Sequence, residues 1–287
     1  MLTLLFDGIA YGMLLFVLAV GLAVTLGLMN FINLAHGAFA MAGGYVTALL
    51  MNRLGVPFLV TLPLAFAGTA LLGAILEPLL YRRMYGKSHL DQVLFSIGLV
   101  FMAIAAVDYF IGSMQQNIHV PPWLEGRFDI SWIGIGKYRL FIIVVCAALA
   151  LGLQWVLSAT RFGSQLRASV DDPRVASGLG LNVNRIFLLT FAVGSGLAGL
   201  GGALGTEILG LDPTFPLKFM IYFLIVVSVG GTTTLTGPLL AALLLGIADV
   251  TGKYYIPKLG AFIVYTLMIV ILLVRPQGLF ARAGSGK

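Results

Sequence analysis

The sequence predicts an all-α integral membrane protein, a polytopic bundle of about eight or nine transmembrane helices with broken or re-entrant elements. Three observations predict it. Hydrophobic residues fill 60% of the 287 positions and charged residues only 10%, against about 25% charged in soluble domains. So few charges cannot cover a water-facing surface of this size. Mean hydropathy is +1.03. The apolar residues also fall into runs of the length that a hydrocarbon core of about 30 Å demands, roughly 20 residues per helix.

Nine runs qualify, at residues 8–28, 34–51, 57–79, 92–112, 140–158, 186–209, 218–236, 238–253 and 260–275. The second and eighth are the weakest. Both are short, and Gly43 and Gly44 interrupt the second, so a broken or re-entrant segment there, with eight crossings instead of nine, is a competing expectation. Met1 to Leu5 contain no Lys or Arg. A secretory signal needs a basic start, so an uncleaved first span is expected. The whole of 1–287 reads as one transmembrane domain, ending in a flexible tail at 281–287. Within that tail Gly284, Ser285, Gly286 and Lys287 mimic a phosphate loop only superficially, with no helix after them.

Cys146 is the single cysteine and lies in an apolar run. It reads as a small packing residue. With three His scattered along the chain, no metal cluster and no bound metal or redox cofactor are expected.

The basic residues set an orientation. Arg82, Arg83 and Lys87, then Arg161, Arg167, Arg174 and Arg185, then Arg275, Arg282 and Lys287 fall on one side, with four acids. The other side carries Arg53, Arg127, Lys137, Arg139, Lys218, Lys253 and Lys258 with seven acids, Asp7, Asp108, Glu125, Asp129, Glu207, Asp212 and Asp249. The formal net charge of +6 therefore sits on one face, assigned to the cytoplasm, with the N-terminus outside and the C-terminus inside. The basic balance follows from topology and needs no nucleic acid. Residues 113–139, with Pro121, Pro122, Trp123 and Trp132, become the longest external segment and suit an interfacial or short amphipathic element.

Transport, not chemistry in water, fits this inventory. No G-x-x-x-x-G-K-[ST] occurs, nor G-x-S-x-G, nor H-E-x-x-H. Gly194-Ser195-Gly196-Leu197-Ala198-Gly199 satisfies G-x-G-x-x-G, but no strand precedes it. The same stretch places Gly194, Ala198 and Gly202 four residues apart, the small-residue stripe that lets membrane helices approach closely. Asp108, Glu207 and Asp249 fall near span ends, where water reaches them, which gives ion coupling little support. Asp249 and Lys253 can pair at i, i+4 if their helix runs that far.

Two constellations remain. From Asn30 through Asn33, His36 and Gly37 to Gly43, Gly44 and Tyr45, two amides, an imidazole and glycines gather in apolar surroundings. Either they line a translocation path, or Asn33 caps the second span and His36 is satisfied by a neighbour. The second is the loop 159–185, which is too polar for lipid. In it Asp172-Pro173 signals a helix start, Ala176 sits on the next turn, and Gly178 or Gly180 stops the helix. Arg167, Ala168 and Asp171 precede that short helix, which could dock on a soluble partner. Gly230, Gly231 and Thr232, leading to Gly237-Pro238, are a further candidate for irregular backbone beside the path or for a tight turn.

With the run Asn33 to Tyr45 (N-L-x-H-G…G-G-Y), the loop Arg167 to Gly180 (R-A-x-x-x-D-x-x-x-A-x-x-x-G), the Gly230 to Pro238 stretch and the terminal Arg275-Pro276-Gln277-Gly278-Leu279-Phe280, the chain resembles the permease subunits of branched-chain amino acid ABC importers, the shorter of the two permeases in particular. The resemblance implies a heterodimer with a second permease, two cytoplasmic ATPase subunits, a periplasmic solute-binding protein, and residence in a bacterial inner membrane. It implies that ATP and Mg sit on the partner ATPases and that this chain binds no cofactor. It also implies that 159–185 is the coupling loop, and that specificity rests mainly with the binding protein. Urea, short amides and other amino acids are solutes that the same architecture serves.

Overall fold

The structure, a computed structural model, describes residues 1–29, 31–130, 133–231, 234–275 and 278–279. Its elements are α1 (Leu2–Met29), α2 (His36–Leu54), α3 (Phe58–Leu79), α4 (His89–Phe110), β1 (Arg127–Ile130), β2 (Ile133–Gly136), α5 (Lys137–Ala159), α6 (Arg161–Asp171), α7 (Pro173–Gly178), α8 (Val183–Leu209), α9 (Phe215–Gly230), α10 (Thr236–Tyr255) and α11 (Gly260–Val274). Each of the nine predicted runs overlaps one helix, and α6 and α7 occupy the predicted polar loop. By length and composition α1, α3, α4, α5 and α8 are able to cross a membrane, with α9 and α11 as shorter apolar helices. The helices outside both groups among the nine are α2 and α10, the two weakest runs in the sequence.

Local chemistry accounts for the helix starts. Ser88 Oγ accepts from Asp91 N at 3.2 Å and donates to Asp91 Oδ2 at 2.8 Å, a reciprocal cap for α4. Thr160 caps α6 through Gly163 N, and Asn182 caps α8 through Arg185 N. At the end of α2, Gly55 takes φ +63°, and Gly55 N and Val56 N return to the carbonyls of Met51 and Leu50.

Two expectations are corrected. The second span is not broken: α2 runs unbroken through Gly43 and Gly44, because Gly43 faces the Gly199 backbone of α8, where a missing Cβ is required, and Gly44 packs against the side chains of Leu211 and Thr206. The first helix begins at Leu2, six residues ahead of the predicted run, since Leu2 to Leu5 are apolar and Phe6, Asp7 and Gly8 do not terminate it. The segment 113–139 carries one short 3-10 turn at Pro122–Leu124 and an antiparallel hairpin, with Arg127 opposite Gly136 and Ile130 opposite Ile133. Trp132 lies outside the described residues.

The bundle is built around α1 and α8. The apolar window of α1 is 89% buried, against 11% for α4 and 17% for α5, so α1 is a central helix and α4 and α5 are peripheral. Small residues make this possible. Gly43 of α2 lies on the Gly199 backbone of α8, and Gly202 lies on the Ala40 carbonyl, so that any side chain there would overlap the neighbouring main chain. Gly12 and Gly246 meet in the same way where α1 crosses α10. Alternate helix ends gather into two polar surfaces. One holds Asp7, Arg139, Lys218, Asp249 and Lys253; the other, at the far end of α5 from Arg139, holds the exposed polar residues of α6 and α7.

Candidate translocation and coupling sites

The first motif folds into the bundle interior. His36 opens α2, is 2% exposed, and its Nε2 lies 2.9 Å from the Leu18 carbonyl of α1. Its ring meets Phe223 of α9 edge-on at 6.3 Å. Gly37 lies against Pro216, Gly44 against Leu211 and Thr206. Asn33 is buried too, but it does not cap α2: the cap position is Ala35, with no side-chain bond. Asn33 Oδ1 has no hydrogen-bond partner among the described residues. Asn30 lies outside the described residues.

Below this motif an aromatic cluster joins three helix ends, which sequence reading missed. Phe31 packs edge-on against Tyr81 at 5.7 Å and Tyr85 at 5.5 Å, and Tyr81 meets Phe191 of α8 at 4.5 Å. Glu77 anchors it. The fully buried carboxylate accepts from Arg82 at 2.7 and 3.2 Å and from the Tyr85 hydroxyl at 3.1 Å. Burial, then the Glu77 charge, hold the Tyr85 hydroxyl protonated well above the ordinary tyrosine range.

The polar loop becomes two short helices. Asp172 Oδ1 accepts from the backbone of Arg174 at 2.9 Å and of Val175 at 3.0 Å, with Pro173 at the first helical position, as its sequence predicts. Gly180, at φ +87°, turns the chain after Gly178 ends α7. Arg167 of α6 donates to the Leu157 carbonyl, tying α6 to the end of α5. Arg167, Ala168, Asp171, Asp172, Gly178 and Gly180 are all exposed. Ala176 is not: it is 2% exposed and turned into the chain's own packing. The large apolar side chains exposed around α7 are instead Val175 and Leu179, at 58% and 77%.

Gly194, Ala198 and Gly202 share one buried stripe of α8, with Gly194 beside Gly21. Gly230 ends α9 against Pro238, and Gly231 follows at φ +78°. Gly278 and Leu279 return onto this corner, Leu279 N donating to the Val229 carbonyl at 2.8 Å. Thr232 lies outside the described residues, as does the tail 281–287.

A charged cavity of about 380 Å³ opens at the opposite end, lined by Asp7, Tyr11, Arg139, Lys218, Tyr222, Asp249 and Lys253 with Ile208, Leu209, Phe219 and Val250. Asp249 is 1% exposed, which corrects its expected place in water: Lys253, reaching over from one turn on, covers it at 2.6 Å. The i, i+4 spacing was the sequence signal for that pair. Arg139 pairs with Asp7 across elements far apart in sequence, for which no spacing rule exists, and Lys218 pairs with Asp212 six residues before it.

The family described as "Branched-chain amino acid transport system / permease component" matches residues 4–272. The chain is 28% identical to the high-affinity branched-chain amino acid transport system permease protein BraD of Pseudomonas aeruginosa, over 97% of this chain and 95% of that one. It is 28% identical to a probable branched-chain amino acid transport permease protein LivH of Methanocaldococcus jannaschii, over 94% and 90%, and 26% identical to LivH of Escherichia coli, over 97% and 94%. No solved structure matches. A multi-pass helical bundle, a membrane-length set of apolar helices and a family match over nearly its whole length together place this chain in the branched-chain amino acid transport permease family.

Proposed function

We propose that this chain is the permease subunit of an ATP-driven importer in a bacterial inner membrane, passing branched-chain or other hydrophobic amino acids handed over by a periplasmic binding protein. It works as a heterodimer with a second permease and two cytoplasmic ATPase subunits, which hold the ATP and Mg. The surface with α6 and α7 faces the cytoplasm, in keeping with its excess of basic residues, and the N-terminus faces the periplasm.

The observation that carries this reading is the α6–α7 element. It projects from the ends of α5 and α8, is capped at Thr160 and Asp172, and is seated through buried Leu166 and Ala176. Yet it leaves Val175 and Leu179 in water, apolar surface that gains by meeting a partner. A short rigid helix of this kind can pass a closing motion of the ATPases to α5 and α8.

The Val175→Asp, Leu179→Asp double variant tests it. ATP-dependent uptake in the host should fall at least about tenfold, the effect of losing one buried contact of about 1.4 kcal/mol, with the amount and melting temperature of the chain unchanged. Uptake at the parental rate removes α7 from the coupling role.

A further inference from the structure

The charged cavity is lined by none of the candidate path or coupling residues read from the sequence. It lies among α1, α5, α8, α9 and α10, at the end opposite α6 and α7. Its walls divide by chemistry. Ile208, Leu209, Phe219 and Val250 are apolar, while Arg139, Lys218 and Lys253 supply cations and Asp7 and Asp249 supply carboxylates. The cations are at the rim, their side chains 41, 56 and 53% exposed, and Asp249 is at the base, its side chain 2% exposed.

We infer that this cavity receives one zwitterionic α-amino acid with an apolar side chain. The volume of about 380 Å³ lies at the small end of ligand pockets, roughly 300–1,000 Å³. Hydrogen-bonding capacity is left over in the places the ligand needs. Asp7 Oδ1 is buried with no partner among the described residues. Asp249 Oδ1 takes only a 3.3 Å bond from the Tyr222 hydroxyl. Both suit a ligand ammonium. Lys218, whose only partner among the described residues is Asp212 outside the cavity lining, can turn to a ligand carboxylate, with Arg139 beside it. The side chain of the ligand then meets Phe219 and Leu209. A ligand with both charges can meet the carboxylates of Asp7 and Asp249 and the half-exposed cations of the rim at once, which a purely anionic or cationic solute cannot. A zwitterionic phospholipid headgroup presents the same pair of charges.

The inference rests on the permease reading, and its test separates the two. Phe219→Cys is introduced into the complex purified with its native partners, in nanodiscs of phosphatidylcholine and phosphatidylglycerol; the natural Cys146 is buried and is the only other thiol on the chain. Free L-leucine should slow modification by a small charged thiol reagent at least about tenfold, whereas leucinamide and 4-methylpentanoate, each lacking one charge, should not. Lys218→Gln should weaken that protection about tenfold, as loss of a hydrogen bond to a charged group does. Leu209→Cys repeats the assay if the first variant fails to assemble. No protection at millimolar leucine from either position overturns the inference. Protection only in nanodiscs containing phosphatidylethanolamine assigns the cavity to a lipid headgroup and overturns it as well. ATP-dependent uptake by the parental complex, measured in parallel, tests the permease reading by itself: uptake without protection sinks the cavity alone.

Discussion

His36 holds two helices together by one bond, from its ring to the Leu18 carbonyl, in a place closed to water. Replacing it by Ala removes that bond and opens a hole, so His36→Ala should cost about 1–3 kcal/mol, read as a lower melting temperature of the detergent-purified chain; unchanged melting with lost uptake would instead favour a path-lining role. Asp212, in the α8–α9 connection, titrates as a clamp. Burial alone would raise its carboxyl, but hydrogen bonds from Lys218 and Thr214 more than offset it and hold it below the ordinary value. A lowered carboxylate stabilises the fold above its ordinary pKa of 3.8 and loses that contribution as the pH falls through the lowered value. The melting temperature of Asp212→Asn should therefore trail the parent at neutral pH and converge with it in acid, as the pH falls through that lowered value. The sequence placed His36 and Asp249 among the residues of interest but not their surroundings. A polar residue inside an apolar run reads the same whether it faces a path, a neighbouring carbonyl or an ion partner, and only long-range packing decides.

Helix α8 shows what spacing does reveal. Gly194, Ala198 and Gly202 at every fourth position mark a close-packing face, and that face lies against α1 and α2. Gly202→Leu should prevent the approach of α2, costing about 1–3 kcal/mol or more through overpacking, and the chain should show a reduced melting temperature or fail to accumulate. The same logic explains the misreading of α2. Gly43 and Gly44 resemble a helix break, yet each gives up its side chain to a neighbour, Gly199 in one case and Leu211 and Thr206 in the other. Caps were legible at α7 because Asp172 acts on backbone two and three residues away; the inward turn of Ala176 was not, since it depends on where α6 and α8 lie.

At the scale of the molecule, all nine apolar runs were visible because hydropathy measures a preference for lipid over water. Which helices are central was not visible. Protein interior and lipid tails are equally apolar, so the 89% buried window of α1 and the 11% buried window of α4 look alike in sequence. The division of charge between two sides depends only on alternation along the chain, and the proposed cytoplasmic face built from α6 and α7 rests on it. In the proposed assembly that face meets the ATPase subunits. The most direct measurement is mass spectrometry of whatever co-purifies with the C-terminally tagged chain in mild detergent from its native host. The account predicts one second permease and two ATPase subunits at fixed stoichiometry; a chain recovered stably alone, or only with copies of itself, would contradict it.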